Sequence, residues 1–319
     1  MIGTDIKRAF DLLKKGGVVG IPTETVYGLA ANAFDEQAVA QIFAIKNRPS
    51  FDPLILHTPN FSSVKTFVQN IPPAAEKLAS VFMPGPLTLL LQKKNKVPDI
   101  VTSGLPQVAV RIPNHPLTLS LLSQLPFPVA APSANPFGYI SPTTAQHVED
   151  QLGKKLSYIL DGGHCKIGVE STIIGFENDT AVIYRKGGLA IEDIEKVIGK
   201  VIVKEHSSSN PKSPGMLKSH YSPTCPLLLG DITSLLQKHK GKTIGIISFQ
   251  QKYESIAPDW QITLSAKGNF AEAAHRLFSG MRHLDKMKPE IILAELLPEK
   301  DLGRAINDRL RRAASNHSD

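Results

Sequence analysis

The residues with chemistry to offer gather at the ends of short apolar runs. Residues 18–21 form one such run, closed by Pro22, and Thr23, Glu24 and Thr25 follow at once, with Tyr27 and Gly28 behind them. Proline gives no N–H to a strand ladder, so a strand stops there and delivers three short polar side chains beyond its end. In open α/β sheets that is where ligands collect. Thr and Glu also cap helices and close turns, so this segment alone leaves ligand binding and local capping equally open. Residues 127–131 repeat the pattern and end in Pro132, Ser133, Ala134 and Asn135. Lys46 and Arg48 stand where Pro49 closes a helical pattern; they either complement the carbonyl end of that helix or reach a phosphate. Arg111 interrupts an apolar stretch that Pro113 ends. It either borders a cleft or pairs with a carboxylate, because an unpaired buried cation is costly, and the proline just beyond favours the cleft. His57 follows an apolar run at 54–56, where a lone His is more often structural than catalytic. Ser141-Pro142 reads as a helix cap and first helical residue, with Ser141 a phosphate ligand second.

Composition narrows the classes. The chain has 319 residues, enough for two domains, and 42% hydrophobic residues argue against disorder. A net charge of +7 favours anionic partners such as nucleotides, RNA or acidic surfaces. The densest basic cluster, 304–312, reads as a solvated helix face. Cys165 and Cys225 lack metal-ligand spacing, which argues against a zinc site and a disulfide framework and points to a reducing cytosol. The first 17 residues have no apolar signal-peptide core, and no stretch approaches the ~20 apolar residues of a membrane span, so a cytoplasmic protein without membrane contact is expected. The chain holds no GxSxG elbow, Walker loop or GxGxxG fingerprint. What its residues suit is the binding of an anion-rich substrate and stabilisation of charge on phosphate, where positioning matters more than a protein nucleophile.

The elements that must position these groups follow from periodicity. Helices are expected over 5–15, 36–46 with Asp35 as cap, 63–69, 74–82, 141–152 and 191–198. Strands are expected over 18–21, 54–56, 87–92, 108–112, 127–131, 157–160 and the pair 169–174 and 182–184. Residues 203–223 are rich in Ser, Pro and Gly and read as a linker, though Met216, His220 and Tyr221 are unlike a bare spacer. Strand-like runs at 227–229, 243–249, 260–264 and 291–294 then alternate with helical patterns at 232–239, 270–287 and 302–314. That alternation predicts a small α/β domain with a mostly parallel sheet and no catalytic cluster.

Several ordered motifs carry a more specific signal: PTETVYGL (22–29), KNRP with DPL and His57 (46–57), SGLPQVAVRIP (103–113), APSAN with SPT (131–143), ESTII (170–174), YRKG (184–187), SPGMLKSHYSP (213–223) and LGRAINDRLRRAA (302–314). Together they resemble the YrdC family in its two-domain form, the threonylcarbamoyl-AMP synthases, over nearly the whole chain. The resemblance implies a YrdC-like twisted mixed sheet with helices at 1–204, a linker at 205–225 and a small Rossmann-like α/β domain at 226–319. It also implies a nucleotidyltransferase that joins L-threonine, bicarbonate and ATP into threonylcarbamoyl-AMP and pyrophosphate, with Mg2+ accompanying ATP. A separate tRNA threonylcarbamoyl transferase complex would use the product, and a weak tRNA contact is a further expectation. By motif, threonine would meet Thr25, His57, Arg111, Ala131 and Ser171, its carboxylate pairing with Arg111. ATP would be held by Lys46, Arg48, Asp52, Gln107, Ser133, Asn135, Ser141, Arg185 and Tyr221. Lys46, Arg48 and Arg185 would stabilise charge, and no residue is expected to ligate a metal directly. The family often has Asn where Asp52 stands, so Asp52 is expected either at the base or ribose or holding Arg48. Gln107 replaces a smaller residue and is expected to act through its backbone. The linker 213–223 would cover the site as a lid that keeps a hydrolysable carbamate from water.

Two rival readings have different signatures. An RNA-binding module fits the basic charge, but aromatics are only 6% and no RNP-type motif is present. A carbamoyl-transfer enzyme using carbamoyl phosphate would be expected to carry acylphosphatase-like or zinc-finger segments, which this sequence lacks.

Overall fold

The computed structural model describes residues 1–204 and 220–315. An eleven-stranded mixed sheet organises the first part. In spatial order its strands are Ile2–Gly3, Ile159–Leu160, Val19–Ile21, Gly28–Asn32, Val129–Ala130, Ile55–His57, Gln107–Arg111, Leu87–Gln92, Thr172–Glu177, Thr180–Arg185 and Ile202–Val203. Parallel and antiparallel pairs alternate irregularly, so strands from distant parts of the chain bring their ends together. His57 lies opposite Arg111 in a parallel pair, Arg111 opposite Thr88 in an antiparallel one, and Ala31 opposite Ala130.

Apolar side chains from both faces of this sheet build the core, with Leu29, Val39, Ile42, Leu56, Leu89 and Val110 among the most buried. The helix Glu36–Lys46 begins as its sequence requires: Asp35 accepts hydrogen bonds from the N–H groups of Gln37 and Ala38. It ends on Asn47 at φ 52, the left-handed conformation that turns the chain out of a helix. That turn throws Lys46 and Arg48 toward the sheet instead of into solvent.

Several sequence expectations change. The helix expected from Ser141 starts at Ala145, and Thr144 is the residue whose hydroxyl accepts the His147 N–H. Residues 141–143 stay out of the helix because the Pro142 carbonyl accepts the Tyr27 N–H and the Thr143 carbonyl accepts the Cys165 N–H. The expected 63–69 helix is a single turn, Phe61–Val64, capped by Asn60. The strand Gly28–Asn32 and the helix Pro116–Gln124 had no counterpart in the periodicity reading.

The second part is a four-stranded, wholly parallel sheet in the order Leu227–Leu229, Ile291–Ala294, Ile244–Ser248 and Gln261–Thr263, as alternation predicted. Its long helix Phe270–Met287 and last helix Gly303–Ala314 pack back on the first part. Val26, Ile140 and Val169 share one apolar cluster with Leu277, Phe278 and Met281. Arg282 donates to the carbonyls of Ile140 and Ser141. The helix 304–312 is not a solvated face: Arg309 is fully buried and Arg312 nearly so. Among the described residues no helix is long and apolar enough to cross a membrane.

Candidate active site

The strand ends surround one cavity. The segment following Val19–Ile21 contributes Thr23 and Gly28. The segment around Ile55–His57 contributes Arg48, Ile55 and His57, and the strand beside it Arg111. Ala131, Pro132 and Ser133 line another wall, with Glu170 and Arg185; His220 and Tyr221 come from the chain ahead of the second sheet. The cavity volume is about 50 Å³, well under the several hundred Å³ of a cofactor pocket.

Each cation is held by a distinct device. Arg111 pairs with Glu24 through Nη2 and Oε1 at 2.8 Å, and its Nε donates to the Gly85 carbonyl at 3.4 Å. Glu24 also accepts the Asn114 N–H at 3.0 Å. Cleft and carboxylate, alternatives in the sequence, are thus both realised. Arg48 pairs with Asp52 at 2.9 Å and donates to the carbonyls of Asp52 and Pro53. Of the two roles expected for Asp52, the hold on Arg48 is present. Arg185 donates to the Ser171 carbonyl through Nε and to Ser171 Oγ through Nη2, both at 3.0 Å. Burial lowers Arg185 to about 10, and it remains a cation at neutral pH. Gly187 makes this grip possible, because a Cβ there would lie 2.4 Å from the Glu170 carbonyl oxygen.

His57 is the neutral member. Its Nδ1 lies 3.2 Å from the Ile55 carbonyl, which fixes the proton on Nδ1 and leaves Nε2 as an acceptor. Burial, with Arg111 adding to it, pushes its pKa down to about 3. Glu170 is the opposite case. Burial raises a carboxyl, but Arg309 and Arg185 overcome that effect, and Ser141 adds a hydrogen bond, so it is held below its ordinary range. Ser141 Oγ donates to one Glu170 oxygen at 2.6 Å, and Arg309 Nε to the other at 2.9 Å.

Several expected residues support the cavity without lining it. Lys46 is buried, and its Nζ donates to the carbonyls of Ser133 (2.6 Å) and Asn135, which pins the loop that carries Ser133. Neither reading of Lys46 from sequence included that role. Thr25 is buried against Thr23, their hydroxyls 2.9 Å apart, and Thr23 faces the cavity instead. Ser171 bonds Thr88 at 2.7 Å. Asn135 donates to the carbonyls of Pro136 and Tyr139. Gln107 opens the strand that Arg111 closes, roughly 13 Å away at 3.3 Å per residue, and does not line the cavity. Tyr221, at φ 65, is buried with the guanidinium of Arg312 4.7 Å and that of Arg309 5.2 Å from its ring centre. Most of the expected lid lies outside the described residues, which resume at His220.

Sequence reasoning missed Glu24 as a partner, Glu170 as a wall and Arg309 altogether. For Arg309 a signal existed. It stands four residues after Ala305, three after Ile306 and four before Ala313, on the apolar stripe of its helix.

The family model described as telomere recombination, covering Sua5, YciO and YrdC, matches residues 11–187. The model for the C-terminal domain of threonylcarbamoyl-AMP synthase matches residues 189–315. The threonylcarbamoyl-AMP synthase of Pyrococcus abyssi is 41% identical, over 97% of this chain and 94% of its own. The chain belongs to the threonylcarbamoyl-AMP synthase family. The family's Bacillus subtilis member is 39% identical over 97% of this chain and 92% of its own. The crystal structure of P. abyssi Sua5 complexed with L-threonine superposes with a TM-score of 0.92 at 41% identity, covering 97% of this chain and 94% of that one. Escherichia coli YciO matches with a TM-score of 0.52 at 25% identity, over 59% of this chain and 93% of its own.

Proposed function

We propose that this threonylcarbamoyl-AMP synthase family member is a nucleotidyltransferase that converts L-threonine, bicarbonate and ATP into threonylcarbamoyl-AMP and pyrophosphate. One observation carries the reading: Arg48, Arg111 and Arg185 converge with Ser133 and neutral His57 on a single cavity at the strand ends. The relative crystallised with L-threonine supports the amino-acid half of the site.

Threonine's carboxylate would take Arg111, in competition with Glu24. His57 Nε2, an acceptor only, would receive a donor from the amino acid. The unprotonated amine forms a bond to the carbon of bicarbonate-derived carbon dioxide, the hydroxide lost from bicarbonate takes up the proton that nitrogen releases and leaves as water, and a carbamate results. A carbamate oxygen then forms a bond to the α-phosphorus of ATP, and the bond to pyrophosphate breaks. The nucleophile belongs to the substrate, which accords with a wall that offers cations and hydroxyls. Arg48 and Arg185 would stabilise the charge that grows on phosphate, as preorganised donors do in a water-poor site. Lys46, Asp52, Asn135, Ser141 and Ser171 would hold that wall in place. Thr25 would act through Thr23, Ala131 would shape the floor beside Gly28, and Tyr221 would close the nucleotide side.

Magnesium would supply Lewis-acid charge neutralisation on the phosphates. Among the described residues no group of three His, Cys, Asp or Glu side chains could hold a metal ion, and Glu170, the carboxylate that lines the cavity, is committed to Arg309. The residues therefore fit an ion that arrives coordinated by ATP, the usual habit of Mg2+. Delivery of the product to a tRNA-modifying transferase complex, and action in the cytosol, belong to the same proposal. Cys165 and Cys225 are buried free thiols.

The test is pyrophosphate release from ATP with threonine and bicarbonate each omitted in turn. Release should require both. Release that ignores either omission would refute the reaction, and salt-sensitive tRNA binding without turnover would favour the RNA-binding alternative.

A further inference from the structure

The nucleotide-facing wall of the cavity is not finished by the large sheet. Glu170 lines the cavity, and its Oε2 is held by a residue from the last helix of the second domain, Arg309. The same guanidinium donates through Nη1 to the Lys186 carbonyl at 2.8 Å, one residue past Arg185. It also pairs with Asp308 at 2.7 Å and lies 5.2 Å from the ring centre of Tyr221. Its Nη2 is buried and has no hydrogen-bond partner among the described residues. One side chain thus touches the segment before Arg185, the segment after it, and the tyrosine that packs against the same wall.

We propose that Arg309 is a positioning residue for the reaction, so that the C-terminal domain completes the nucleotide side of the active site. The inference rests on the functional reading above only in naming that ligand. The geometry requires a fork. A guanidinium presents several N–H groups in one plane and can bridge Glu170, the Lys186 carbonyl and Asp308 at once, while an ammonium on a thinner stem cannot hold all three directions. If the bridge goes, Glu170 loses the larger of the two cationic influences on it and the Arg185–Lys186 backbone loses its anchor, but nothing that would grip the threonine carboxylate has moved.

The test uses the full chain with Arg309→Lys, Arg309→Met and, as a control, Arg311→Met. Arg311 lies on the same helix and pairs with Glu299 at the surface. Two readouts are taken: the rise in unfolding temperature caused by ATP with Mg2+, and the KM for ATP and for threonine in pyrophosphate release. Arg309→Lys should fold, lose most of the ATP-induced rise and raise KM for ATP about tenfold or more, with KM for threonine within twofold. Arg309→Met should lose more than Arg309→Lys, and the control should match the parent. An equal ATP-induced rise in parent and Arg309→Lys would overturn the proposal, as would equal loss for both substrates. If Arg309→Met does not fold, the Arg309→Lys comparison decides alone. The ATP-induced rise is read without threonine, so it judges Arg309 even if threonine-dependent release fails and takes the reaction with it.

Discussion

At the scale of single residues, the site is a set of cations that would repel one another, each held in place by its own carboxylate or carbonyl partners. Arg111 shows the consequence. Its charge is already answered by Glu24 at 2.8 Å, so under the proposed function a threonine carboxylate would gain from Arg111 only what it takes from that pair. Replacing Arg111 by Lys keeps the charge and removes the fork. KM for threonine should rise at least tenfold while ATP affinity stays within twofold, and an equal rise for both substrates would refute the assignment. Arg111→Ala should also destabilise the protein by about 3–5 kcal/mol, because Glu24 is then left buried without its partner. His57 gives a pH signature. Its folded-state pKa of about 3 lies below the ordinary 6.5, so the unfolded chain takes up the proton first. The stability this group contributes is complete above pH 6.5 and is lost as pH falls toward 3. At about 1.4 kcal/mol per pH unit the loss is of order 2 kcal/mol between pH 6 and 4. Urea titrations should show His57→Gln losing less stability than the parent over that interval; parallel curves would mean that His57 is protonated in the folded state.

At the scale of elements, what the sequence made legible was whatever local chemistry controls. Helix 36–46 with its Asp35 cap, strand 87–92 and the alternation that builds the parallel sheet all appear as periodicity predicts. The failures lie where a distant partner overrides a local signal. Ser141-Pro142 has the form of a helix start, yet hydrogen bonds from Tyr27 and Cys165 keep 141–143 out of the helix and pass the cap to Thr144. Ser141 is thereby released to serve Glu170. Lys46 is the helix-end cation the sequence suggests, but its Nζ also ties down the Ser133 loop. No spacing rule could reveal either, since the partners are set by how the sheet is threaded. The cap assignment is measurable. Thr144→Ala should cost about 1 kcal/mol in chemical denaturation, and Thr144→Ser should cost much less. A neutral Thr144→Ala would return the cap to Ser141.

At the scale of the whole molecule, the two sheets are joined through the same surface that backs the candidate active site. Phe278 is fully buried from the second domain, its ring centre 5.4 Å from that of Tyr221, in a cluster that also holds Val26, Ile140 and Val169 of the first. Around this apolar centre lie polar ties that neither domain can satisfy alone: Arg282 on the carbonyls of Ile140 and Ser141, Tyr139 on Asp285, and Arg309 on Glu170. Separating the domains would strip water-averse surface and strand buried charge together, and the cost of both makes partial unfolding unfavourable. Calorimetry of the full chain should therefore show one unfolding transition. Phe278→Ala deletes the centre of the junction and leaves a cavity, a loss of about 3–5 kcal/mol. Its transition should fall in temperature and broaden or split, with the C-terminal domain unfolding first. Turnover should fall in the same variant, because Tyr221 and the last helix lose the ring they pack on. Two separate transitions in the parent protein, or a Phe278→Ala variant with full turnover, would show that the C-terminal domain is carried by the enzyme without forming part of its site.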